Sequence, residues 1–152
     1  MNIFILDNDI KKSVSYHCDE HVNKMILEAA QILCAVNHKN GLPARYKLTH
    51  ANHPCTVWAG LTMQNYLYVM DYATLLNEEA KRRYNRSTDH KSIGVMQNLD
   101  FPDLPNSGLT AFAKCVADEF KSLKDPVEAY RAYYKTKTFA TWKYSEKPSW
   151  II

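Results

Sequence analysis

His17, His21, Lys24 and Glu28 stand at i, i+4, i+7 and i+11 in the stretch YHCDEHVNKMILEAAQIL. If that stretch is helical, about 100° of rotation per residue brings all four into an arc of roughly 60°. The arc adjoins the apolar stripe of the same stretch rather than opposing it. Groups on such a border are partly desolvated, which is where proton affinities shift. Three chemistries fit. The plainest is a Lys24–Glu28 ion pair beside two hydrogen-bonded histidines. A second is a metal ion shared by His17 and His21 and completed by Glu28 or His53. That pattern lacks the glutamate of H-E-x-x-H, and Lys24 would repel a cation. The third is amine chemistry: a carboxylate beside an amine, with histidine as donor or proton relay, suits attack on an electrophilic sugar carbon or a carbonyl. It requires neither a metal nor a cofactor.

The elements that would position these residues are helical. Val22, Met25, Ile26, Ala29, Ile32, Leu33 and Val36 recur at core spacing, so one long helix is expected from about residue 13 to the NHKNG stop. Tyr66, Val69, Met70, Ala73, Leu76 and Ala80 mark a second, expected from about Cys55 to Tyr84 with the basic end KRRYNR. An Asp-Pro start opens a third in DPVEAYRAYYKTK, and a further helical stretch is expected around FAKCVADEFKSL. The region STDHKSIGVMQNLDFPDLPNSGLTAF reads as a long connection containing one short helix. NIFIL near the start is a strand or an extended lead-in. The expected architecture is a compact all-α fold forming a single domain over residues 1–152, with an extended N-terminus and an irregular aromatic C-terminal tail.

The chain's 152 residues are enough to bury a sizeable core. Nineteen basic and 16 acidic residues give a net charge of +3, compatible with a polyanionic partner only if the basic groups cluster. Four cysteines without a C-x-x-C pair, and no signal-peptide pattern, point to a reduced, cytoplasmic setting. No apolar run reaches the roughly 18–20 residues of a membrane span.

Two further surfaces carry candidate residues. In THANHPCTVW, Asn52 or His53 suits a helix cap ahead of Pro54; the functional alternative has His53 completing a pocket walled by Trp58. In YRAYYKTKTFATWKYSEKPSW, Arg131 and Lys135 lead a series of basic groups interleaved with aromatic rings. Basic groups neutralise phosphates and rings stack on bases, although the rings equally suit packing of the tail onto a core.

CDEHVNKMILEAAQIL, followed by NHPCTVWAG and YLYVMDYATLLNEEAKRRY, resembles the pyrimidine-dimer DNA glycosylases related to phage endonuclease V, as a divergent member. The resemblance implies a helical enzyme that excises a damaged base from DNA and cuts the backbone at the resulting abasic site. It also implies that the nucleophile is the N-terminal α-amine, borne by Met1 or Asn2, and that Glu28 is the essential acid, with His21 holding the DNA and the reacting sugar. An α-amine titrates near pH 8, so a useful fraction is neutral and nucleophilic at neutral pH. Lys24 is a reserve amine, and His17, Asn52, His53, Trp58, Arg131 and Lys135 are candidate substrate contacts.

The chain departs from the family's pattern in two places. Asn2 follows Met1 where a small residue favours methionine removal, and Leu27 stands where an arginine is expected before the catalytic glutamate. These departures keep open a rival of another class, a non-catalytic nucleotide-binding protein on the same scaffold, with a metal-dependent hydrolase third.

Overall fold

A computed structural model describes residues 1–152 and contains α1 (Ile10–Ser15), α2 (Asp19–Lys39), α3 (Pro54–Ala59), α4 (Met63–Arg83), α5 (Lys91–Gln97) and α6 (Pro126–Lys135), with one 3₁₀ turn at Asp118–Phe120 and no strand. The all-α expectation is met. The helix α2 carries Asp19 and Glu20 in its first turn and His38 and Lys39 in its last, complementing the helix dipole at both ends. Its stripe of Val22, Met25, Ile26, Ala29, Leu33 and Val36 is at most 1% exposed and packs against Tyr66, Val69, Tyr72, Ala73, Leu76 and Ala80 of α4. These two helices form the centre of the core.

Both long helices expected from periodicity are interrupted at their N-terminal ends. Between α1 and α2 the backbone turns extended at Cys18, whose N–H donates to the Tyr134 hydroxyl at 2.8 Å, while Asp19 N–H donates to Thr141 O at 2.8 Å. His17 therefore lies in the link before α2 and is not part of the helical row. The second pattern divides at Gly60–Thr62, where the Thr62 hydroxyl caps α4 by accepting from Asn65 N–H at 3.0 Å. In each case distant or side-chain partners satisfy backbone groups that a continuous helix would have used internally.

The stretch FAKCVADEFKSL forms only the 3₁₀ turn instead of the expected helix. Its approach is extended because its backbone is bound from outside: Thr110 N–H donates to Asn65 Oδ1 at 3.0 Å and Cys115 N–H to the Tyr130 hydroxyl at 3.1 Å. Asp125 caps α6, as its Asp-Pro start implied, by accepting from Val127 N–H at 2.9 Å.

The N-terminal segment is extended but pairs with no strand. Asn2 to Leu6 are buried, and side chains supply the partners their backbone needs. Leu6 N–H donates to the Ser13 hydroxyl at 2.9 Å, and Leu6 O accepts from Arg131 Nε at 2.7 Å. At the other end, the tail is anchored on the start of α2 and on the end of α1: Glu20 accepts from Thr141, Asp19 accepts from Lys143 N–H at 2.6 Å, and Trp142 Nε1 donates to Tyr16 O at 3.0 Å. No helix is long and apolar enough to cross a membrane.

Candidate active site at the N-terminus

The buried N-terminal segment delivers its first two nitrogens to one carboxylate. Asn2 N–H donates to Glu28 Oε2 at 3.0 Å, and the α-amine of Met1 stands 3.8 Å from the same oxygen. The Glu28 side chain is 15% exposed, enough for a ligand to reach it, and its Oε1 has no partner within the protein. Side-chain bonds hold Asn2 in place. Its Nδ2 donates to Cys115 O at 2.8 Å, while its Oδ1 accepts from Ile3 N–H at 2.8 Å and lies 3.1 Å from the Tyr130 hydroxyl. Lys24, one turn before Glu28, is exposed and forms no ion pair with it; the charge partner of Glu28 is the N-terminus. Leu27 is half-buried beside it.

The two histidines of the expected row have different surroundings. His17 is fully buried, with Nδ1 2.8 Å from Ser13 O and Nε2 2.7 Å from the Tyr72 hydroxyl. A carbonyl can only accept, so Nδ1 carries the proton and Nε2 accepts from Tyr72. Burial drives its pKa down to about 3, so the ring is neutral. His21, 5% exposed, stacks on Phe4 with ring centroids 4.7 Å apart and meets the Tyr134 hydroxyl at 3.0 Å through Nδ1. Burial, reinforced by Lys137 and Lys24, lowers its pKa to about 4. The ring bonds to Tyr72 and Tyr134 leave His17 and His21 no shared metal position.

His53 belongs to the neighbourhood of the amine. Its Nδ1 accepts from Cys55 N–H at 3.1 Å and caps α3, and its pKa is lowered by burial and then by the positive N-terminus, while Glu28 opposes the shift. Asn52 is exposed. Trp58 is only 4% exposed and donates through Nε1 to Ala111 O at 2.9 Å; with Ile3, Ile5, Cys55, Phe112, Ala113 and Tyr130 it lines a small apolar cavity. Arg131 is committed to Leu6 O and to Asp7, which it meets at 3.0 Å, and it lies over the Trp150 ring. Lys135 is exposed at the end of α6. The fold thus gathers Met1, Asn2, Glu28 and His53, sets Lys24 and His21 one and two turns away along α2, places Trp58 in the apolar cavity shared with Cys55 and Tyr130, and commits His17 and Arg131 to bonds with other residues.

Sequence reasoning did not single out Tyr130 or the thiols of Cys55 and Cys115. The thiols lie 3.1 Å apart, sulfur to sulfur. Donor atoms of His53, Cys55 and Cys115 fall within 4.8 Å of one another, a donor set of zinc type. In this structure the two thiols share a hydrogen bond, and His53 Nδ1 accepts from the backbone N–H of Cys55.

Residues 1–92, three-fifths of the chain, match the family model described as pyrimidine dimer DNA glycosylase. The chain belongs to that family. Membership implies DNA as the substrate and glycosylase action as the activity. The matched residues of this glycosylase include Met1, Asn2, His21, Lys24, Glu28 and His53, whereas Cys115, Tyr130 and the aromatic tail lie outside the match. Comparison with curated proteins and with solved structures finds no match.

Proposed function

We propose that the protein removes a damaged base from DNA and cleaves the backbone at the abasic site, with the N-terminal α-amine as nucleophile and Glu28 as its acid–base partner. The observation that carries this reading is the meeting of both N-terminal nitrogens with Glu28 Oε2. With Met1 retained, the amine stands 3.8 Å from that oxygen. With Met1 removed, the nitrogen of Asn2 becomes the amine, and it already stands at 3.0 Å. The poor match of Asn2 to methionine removal therefore does not decide whether an amine meets Glu28.

The chemistry follows from that contact. The neutral amine attacks sugar C1′, the bond to the base breaks, and the base leaves with the electron pair and takes up a proton. The nitrogen gives up a proton, the C1′–O4′ bond then opens with O4′ taking up a proton, and the resulting iminium carries positive charge beside the Glu28 carboxylate, which stabilises it. Loss of a C2′ proton to a base, for which Glu28 is in place, expels the 3′ phosphate and cuts the strand. The target nucleotide must leave the stack to reach a partly enclosed carboxylate. Lys24 and Lys137 supply nearby positive charge for phosphates. Phe139, 51% exposed and edge-on to His21 at 5.5 Å, offers a ring to an unstacked base.

The test is borohydride trapping of the untagged protein on duplex DNA containing an abasic site, beside a Glu28→Gln variant and an amine-blocked preparation. A covalent adduct that disappears on blocking, with strand cleavage lost in Glu28→Gln, is the expected result. No adduct between about pH 6 and 9, the span of an α-amine's titration, would remove the lyase reading and favour nucleotide binding without turnover.

A further inference from the structure

Among the four cysteines, Cys18 and Cys34 are buried and neither has another thiol as partner. Cys55 and Cys115 form a pair with unequal access: Cys55 is 2% exposed, whereas Cys115 is half-buried in the extended stretch before the 3₁₀ turn. Their sulfurs, 3.1 Å apart, need to approach by roughly 1 Å to reach the about 2.05 Å of a disulfide. The two thiols share a hydrogen bond, and this contact with Cys55 holds the pKa of Cys115 below the ordinary thiol range, at about 7. An accessible, acidified thiol beside a second, buried thiol is the arrangement of a peroxide-reactive cysteine and its resolving partner.

We propose that Cys115 is a site of oxidation by hydrogen peroxide or an organic peroxide, and that Cys55 resolves it to an intramolecular disulfide. In the first step the Cys115 thiolate attacks a peroxide oxygen. The S–O bond forms, the O–O bond breaks, and the departing hydroxide or alkoxide takes a proton. Sulfur is oxidised by two electrons and the peroxide is reduced. In the second step Cys55 gives up its proton and attacks the Cys115 sulfur, forming the S–S bond and releasing the sulfenic oxygen as water. A thiol reductant reverses the bridge.

The location gives the bridge a consequence, which rests on the amine mechanism proposed above. Both cysteines touch Asn2: the Cys115 carbonyl accepts from Nδ2 at 2.8 Å, and the Cys55 sulfur lies 3.7 Å from Oδ1. Drawing the sulfurs together shifts the clasp that aims the N-terminal nitrogens at Glu28. A misplacement of about 1 Å can cost about 100-fold in rate, so oxidised protein should cut abasic DNA at least about tenfold more slowly and recover in dithiothreitol.

The experiment exposes the untagged full-length protein to hydrogen peroxide, blocks free thiols with N-ethylmaleimide under denaturing conditions, and maps digests by mass without reduction. The expected product links the peptides containing Cys55 and Cys115 within one chain, with Cys18 and Cys34 alkylated. Cys55→Ser should leave a sulfenic acid on Cys115 that dimedone traps. Cys115→Ser, at the more exposed position, should abolish the link and spare Cys55 from oxidation, and so carries the test if Cys55→Ser does not fold. Absence of the link, or continued oxidation of Cys55 in Cys115→Ser, overturns the proposal. The mass readout is independent of catalysis: a reversible link in a protein with no lyase activity in either redox state would retain the thiol chemistry and remove the amine mechanism.

Discussion

Two carboxylates of α2, Asp19 at its start and Glu28 near its middle, are held in opposite conditions. At the first turn, Asp19 is 7% exposed, with Oδ1 taking Arg83 at 3.1 Å and Oδ2 taking Lys143 N–H. The adjacent His17 has both ring nitrogens bonded within the protein. Nothing is left over for a ligand. Two turns further along, Glu28 directs one oxygen to the N-terminal nitrogens and leaves the other open, at a position solvent reaches. A histidine or carboxylate near a core is thus not informative by type; the decisive quantity is how much of its bonding capacity the fold has already used.

The sharpest way to break this comparison is to neutralise each carboxylate system. Glu28→Gln retains an acceptor for Asn2 N–H, so thermal unfolding should change little while abasic-strand cleavage falls by about 10²–10⁴-fold. Activity within a few-fold of the parent protein would remove Glu28 from the chemistry. Arg83→Met should act through stability. It strips a buried partner from Asp19 and from the carbonyls of His17 and Ser15, and should cost about 3–5 kcal/mol in guanidinium unfolding. A loss below about 1 kcal/mol would mean that Asp19 has no need of its charge partner.

Proton linkage sharpens the contrast. The folded state holds His17 near 3 and His21 near 4, while an unfolded histidine titrates near 6.5. Below pH 6.5 the unfolded chain binds more protons, so stability is present in full above that value and is lost as pH falls towards 4. The denaturation midpoint at pH 5 should therefore lie clearly below that at pH 7.5. Equal midpoints would show that the buried rings do not stay neutral.

Smaller effects follow at His53 and Lys24. His53→Ala removes a helix cap, worth about 1 kcal/mol in unfolding experiments. Lys24→Met, at an exposed position, should shift stability by no more than about 0.5 kcal/mol. If Lys24 meets a phosphate, the same change lowers the salt dependence of DNA binding by about one unit of slope; an unchanged slope would assign the side chain to solvent.

The sequence made the long buried stripes legible because Val22 to Val36 and Tyr66 to Ala80 repeat at a helix's own period. The break at Cys18 was not, because the groups that hold it open, Tyr134 and Thr141, are supplied by the far end of the chain. The same cause explains the missing helix around Cys115, whose backbone is captured by Tyr130 and Asn2. Within the site, helical spacing singled out Glu28, and family resemblance suggested its pairing with the N-terminal amine. The Cys55–Cys115 contact bridges 60 residues with no motif to announce it. Arg131 makes a bond that its basic and aromatic sequence surroundings do not announce, to Leu6 O, 125 residues away.

The clasp on Asn2 also sets an order of events during synthesis. Asn2 is secured by Cys115 and Tyr130, 113 and 128 residues further along the chain. At about 5–20 residues per second, those partners emerge on the order of ten seconds after the segment they must secure. Until then the Asn2 side chain lacks both of these partners, so the clasp around the N-terminal nitrogens is completed only late in synthesis. A fully clasped Asn2 therefore reports that the chain has folded at least as far as Tyr130.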